Sequence, residues 1–93
     1  MHILLIKLSL KIPCAQSLKD KRSQIKSLKD RLSSRLNASV AEIDELDNRQ
    51  LAIIGICLIS IDRSYLEKQY SVAEALVLEY TGLELIDISR EWL

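Results

Sequence analysis

The chain has two cysteines, two glycines, one proline and one histidine among 93 residues, and aromatics make up only 4%. Two cysteines cannot staple a secreted miniprotein, and Cys14 and Cys57 form no CxxC or CxxxC pair that would hold a metal. So little Gly and Pro, with 48% apolar and 28% charged residues, excludes disordered and fibrous classes. No apolar run approaches the ~18 residues a membrane-spanning helix needs. Net charge is also lacking, since the formal total is zero. What remains is one globular domain, residues 1–93, hiding about 60–65% of its unfolded surface around one modest core.

The zero total conceals a segregation. From Met1 to Leu36, nine basic residues face only Asp20 and Asp30, a net of +7; from Asn37 to Leu93, four basic residues face eleven acidic ones, a net of −7. Asymmetry of this kind points either to a polyanionic partner or to two halves that neutralise each other on packing.

The run Ile3-Leu4-Leu5-Ile6 ahead of Pro13-Cys14-Ala15 superficially resembles a secretory leader. A leader needs a basic stretch before its apolar core, yet only His2 precedes this one, and Lys7 and Lys11 interrupt it. Leu4, Ile6, Leu8, Leu10 and Ile12 instead alternate with Lys7, Ser9 and Lys11, the two-residue period of a half-buried strand. A strand is expected, in a protein of the reducing cytoplasm.

After Pro13, Ser17 can cap a helix whose Asp20 returns the bond, and Leu18, Ile25, Leu28, Leu32 and Leu36 recur at helical spacing. A helix over Leu18–Arg35 follows, then a short strand over Ala38–Ile43 and a polar turn over Asp44–Arg49. Leu51–Ser60 is nearly continuous and β-branched, as a central strand is. Asp62 or Ser64 caps a second helix, with Glu67 completing a box for Ser64, and Leu66, Tyr70, Ala73, Leu76 or Val77, and Tyr80 line its apolar stripe. Gly82 suits a left-handed position past the helix end, and Leu83–Trp92 reads as a final strand.

The order strand-helix-strand-strand-helix-strand predicts an α+β, ferredoxin-like βαββαβ sandwich: a four-stranded antiparallel sheet with two helices on one face. Nothing in the chain covers the other face. The third strand is apolar on both sides (Leu51, Ile53, Cys57 and Ile59 against Ala52, Ile54, Ile56 and Leu58), so that open face is greasy in either phase. A homodimer or a partner protein is the expected cover.

On the first helix, Lys19, Arg22, Lys26 and Lys29 fall within one arc of about 80° beside the apolar arc, while Arg31 and Arg35 lie on the other flank. A cationic stripe spaced 3, 4, 3 suits phosphates repeating along a nucleic-acid backbone. Two other readings stand beside it: a solvated flank balanced by Glu67 and Glu74 of the second helix, or a contact for an acidic protein. Lys21 is different, because it projects into the apolar arc; either its stem snorkels or it pairs with Glu42 or Asp44.

Other chemistries of this topology lack their residues. The RNA-recognition version stacks bases on aromatics of its central strands, and the first and third strands here have none. Acylphosphatases need a Gly-rich, Arg-bearing loop where this chain has Ile12-Pro13-Cys14-Ala15-Gln16-Ser17. Metal carriers need a CxxC there, and small-molecule sensors a Gly. Cys14, near a helix N-terminus, is a candidate nucleophile without a nearby base; a passive thiol is the simpler reading. Trp92 is expected at an edge or a subunit contact.

The segment Ser17-Leu18-Lys19-Asp20-Lys21-Arg22 resembles the SLK[DE]KR signature of the YlxP-like bacterial proteins, a family of unknown function. Ser39-Val40-Ala41-Glu42-Ile43-Asp44 is similar to that family's SVAE[VI]D strand, and Gly55, Ser60, Asp62 and Gly82-Leu83-Glu84-Leu85-Ile86-Asp87 follow in matching order. Two places depart: Cys14-Ala15-Gln16 replaces a Gly-Ala-Arg type of segment, and Asp47-Asn48-Arg49-Gln50 stands where a Trp-Gln pair is common. The resemblance implies a ferredoxin-like fold, a bacterial cytoplasmic protein and genomic company with translation and ribosome-maturation factors. It implies no catalytic residue and no cofactor.

Together these readings predict a non-enzymatic module without metal, cofactor or membrane contact. Lys19, Arg22, Lys26 and Lys29 would grip the phosphate backbone of structured RNA or a ribosomal particle, extended by Lys7 and Lys11 if the sheet face stays open. The alternative is a homodimeric interaction module that contacts an acidic protein.

Overall fold

The alternation of the first strand decides the architecture. In the computed structural model, which describes residues 1–93, β1 (His2–Lys11) buries Leu4, Ile6, Leu8 and Leu10 and turns Ile3, Leu5, Lys7, Ser9 and Lys11 the other way. It is followed by α1 (Leu18–Leu36), β2 (Ser39–Asp44), β3 (Leu51–Ser60), α2 (Arg63–Glu79) and β4 (Glu84–Trp92). The sheet order is β2-β3-β1-β4, every neighbouring pair antiparallel, which is the ferredoxin-like arrangement. β1 and β3 occupy the centre, paired without a break from His2↔Ser60 to Lys11↔Leu51.

One core lies between the sheet and the two helices. Ala52, Ile54, Ile56 and Leu58 of β3 join the β1 set against Ile25, Leu28, Leu32 and Leu36 of α1 and Leu66, Ala73 and Val77 of α2. Leu32 is completely buried, so truncation to Ala should leave a cavity and cost about 2–5 kcal/mol. Urea unfolding is the measurement: the midpoint falls while the slope is kept.

Several boundaries differ from the sequence expectation for local reasons. β2 runs one residue later than expected, Ser39–Asp44, and at its end a bulge between Glu42 and Asp44 takes Ile43 out of register and lets Asp44 pair with Ile53. Ile43 thereby folds over Gly55 on the open face, with its Cγ2 3.1 Å from where a Cβ would stand. A Cβ at that position would press on the Ile43 side chain, which would have to give by a few tenths of an ångström. Asp62, not Ser64, caps α2, its Oδ1 accepting from the Tyr65 amide at 3.3 Å, so the box of Ser64 and Glu67 does not form. Gly82 does adopt the left-handed region, at φ 92°.

Candidate nucleic-acid interface

The first helix is set at both ends by its own residues. Ser17 Oγ accepts from the Asp20 amide at 3.1 Å, and Asp20 Oδ2 accepts in return from the Gln16 amide at 3.2 Å, one residue earlier than a reciprocal box requires. At the other end Asn37, with φ 52°, closes the helix by donating to the Ser33 carbonyl.

Lys21 locks the helix start to the β2–β3 turn. Its side chain is fully buried, and its Nζ lies 2.8 Å from Glu42 Oε2, an ionic contact. The same Nζ donates to the Glu45 carbonyl, which is turned inward by a left-handed backbone at φ 59°. Of the two partners open to it in sequence, Glu42 is the one used; Asp44 instead accepts from the Glu45 amide at 2.8 Å. Within a motif that looks uniformly basic, one lysine is thus structural.

The remaining cations of α1 divide by flank. Arg31, Ser34 and Arg35 line the groove against Val72, Leu76 and Glu79 of α2, and the Arg31 guanidinium sits 5.5 Å from the Tyr80 ring centre. Lys19, Arg22, Lys26 and Lys29 occupy the opposite flank, away from α2, in a row about 15 Å long. Lys19, Arg22 and Lys26 are exposed and Lys29 is half-buried. No carboxylate pairs with Lys19, Arg22 or Lys29. Lys26 meets Asp30 of its own helix at 3.1 Å, with 77% and 67% of the two side chains exposed, a contact that solvent and salt weaken.

The acids expected to neutralise this stripe lie elsewhere. Glu67 is engaged by Arg63 at 3.6 Å, and Glu74 makes no ion pair. Lys7 and Lys11 do not extend the stripe: both point from the sheet face that α1 does not touch. They share that face with Glu84, Asp87 and Glu91, which the β1–β4 register places beside Lys11, Ser9 and Leu5.

Three arginines lie on aromatic rings, and sequence reasoning did not find these contacts. Besides Arg31 on Tyr80, Arg63 covers Trp92 at 4.2 Å and Arg90 covers Tyr70 at 5.0 Å. Each joins residues far apart in the chain, so no local spacing announces them. His2 meets the edge of Trp92 at 6.5 Å, placing Trp92 at the sheet end beneath α2. Cys14 is exposed just beyond the opposite end of β1, roughly 30 Å along the strand from His2, the only histidine. The one imidazole is therefore far from the thiol, and no three His, Cys, Asp or Glu side chains converge as a metal site. No helix is long and apolar enough to cross a membrane.

A split βαβ domain with one uncompensated cationic helix flank is the class of protein these features define. The chain belongs to the family described as "Protein of unknown function (DUF503)", whose model matches residues 3–90. It is 31% identical over 78 residues to the "Uncharacterized protein YlxP" of Bacillus subtilis (strain 168), covering 84% of this chain and 85% of that one. Among solved structures it is similar to the de novo designed protein Foldit4 (TM-score 0.58, 12% identity, 96% of each chain). A second is a dimeric ferredoxin-like protein from an uncultured marine organism (TM-score 0.54, 10% identity, 100% of this chain and 96% of that one). At these identities the structural likeness carries the fold alone.

Proposed function

We propose that the protein is a non-enzymatic binding module that grips the phosphate backbone of structured RNA, in free or ribosomal form, through Lys19, Arg22, Lys26 and Lys29. The observation that carries this reading is the absence of any acidic partner for Lys19, Arg22 and Lys29 on a flank whose fourth cation has only a solvent-exposed one. Cations held in a row on a rigid helix release counterions from a polyanion at little conformational cost. Sequence readout by stacking has no platform, since the open face of β1 and β3 carries no aromatic ring, so recognition rests on shape and backbone geometry.

Binding of folded ribosomal RNA fragments at low ionic strength, compared with an unstructured homopolymer, tests the reading. Preference for the folded fragments is expected, with binding lost as salt rises. No binding at low ionic strength, or binding indifferent to salt, rejects it. A partner retained from cells after nuclease treatment would favour an acidic protein on the same flank.

A further inference from the structure

The sheet face opposite the helices carries an apolar field with nothing over it. On β3, Ile59 is 63% exposed, Cys57 is exposed and Ile53 half-buried; Ile3 and Leu5 of β1 flank them, and Ile43, 48% exposed, fills the gap above Gly55. A contiguous apolar patch of this kind on a small domain marks a contact surface.

We propose that a second copy of this chain covers it, in a two-fold dimer with the two β3 strands crossing antiparallel at the centre. Charge on the face excludes a polyanion, because Lys7 and Lys11 are outnumbered there by Asp44, Glu84, Asp87 and Glu91. The charge layout suits self-pairing instead. Lys7 and Glu91 sit on adjacent rungs, opposite Ser89 and Leu5 respectively. A two-fold line crossing β3 at its midpoint overlays the sheets along their full length and brings each Lys7 over the rung carrying the partner copy's Glu91. The same operation stacks Ile59 of one copy on Ile53 of the other, an isologous contact.

Size agrees with a weak, reversible dimer. Three strands of nine or ten residues and one of six, about 4.8 Å apart, project roughly 550 Å², below the ~800 Å² per partner of a standard interface. The α1 flank lies on the far side of each copy, so pairing leaves both cationic rows in solvent; failure of RNA binding would not bear on this inference.

The two cysteines supply the test. Both are exposed in the single chain, but only Cys57 lies on the sheet face, while Cys14 lies in the β1–α1 turn. Sedimentation equilibrium should show the mass rising toward twice 10.6 kDa as concentration increases. Maleimide labelling of Cys57, but not of Cys14, should slow about fivefold between dilute and concentrated protein, as mass action removes the single chain. Ile59→Lys, at a position exposed enough to leave the fold intact by circular dichroism, should give a monomer and equal labelling at both concentrations. A chain monomeric throughout, a dimer in which Cys57 labels without slowing, or a dimer that survives Ile59→Lys would each overturn the proposal.

Discussion

Reversing two charges, Lys26→Glu with Lys29→Glu, should weaken binding to a folded RNA by about 100-fold or more at low salt and reduce the log–log salt slope by about 2. Four phosphate contacts correspond to a slope near −3, hence an approximately 50- to 150-fold loss for the unaltered protein between about 50 and 200 mM salt. Neither residue takes part in the core, and the Lys26 contact with Asp30 is on the surface, so the far-ultraviolet spectrum and melting temperature should hardly move. Lys68→Glu on α2 is the control, an exposed cation off the stripe whose reversal should have little effect. Equal losses in binding free energy per reversed charge for the control and the double variant would mean that only overall charge matters, and the localised interface would be refuted.

A large stability effect of a different, electrostatic kind is expected at Lys21. Lys21→Met keeps the stem's packing but strands Glu42, only 12% exposed, and leaves the Glu45 carbonyl with the Asn48 amide as its one remaining donor. Breaking a buried pair from one side is costly, so a loss of about 2–4 kcal/mol is predicted, or a fall of roughly 10–25 °C in Tm for a domain of this size. Adding Glu42→Leu to Lys21→Met should recover most of that loss, because removing both charges also removes their desolvation cost. Thermal denaturation of the single and double variants decides it. A single variant as stable as the starting protein would show that the lysine stabilises nothing.

The two lysine predictions differ because the helical period already separates the residues. At 100° per residue Lys21 falls among Leu18, Ile25 and Leu28, whereas Lys26 and Lys29 fall beside them. The same kind of local arithmetic made the phase of β1, the extent of α1 and the order of all six elements legible. It stops where residues distant in the chain meet. The bulge at the end of β2 depends on pairing with β3, and by setting Asp44 opposite Ile53 on the open face it leaves Glu42 as the partner of Lys21. Likewise the placing of Arg63 on Trp92 needs α2 to lie over the end of β4, which no period reports. The stripe's composition could be read in advance; its freedom from Glu67 and Glu74 could not, because that depends on which flank of α1 faces α2.

Aromatic rings hold Arg31, Arg63 and Arg90 on the α2 side of the molecule, and the carboxylates of β4 line the sheet edge farthest from β2. The unclaimed cations stand on the other side, so a chain of zero formal charge is built as a permanent electric dipole. Such a molecule rotates in the field of a polyanion while still a Debye length away, arriving positive end first. With no polyanion present, its opposite poles attract one another, and the first increments of salt should make the protein more soluble, not less.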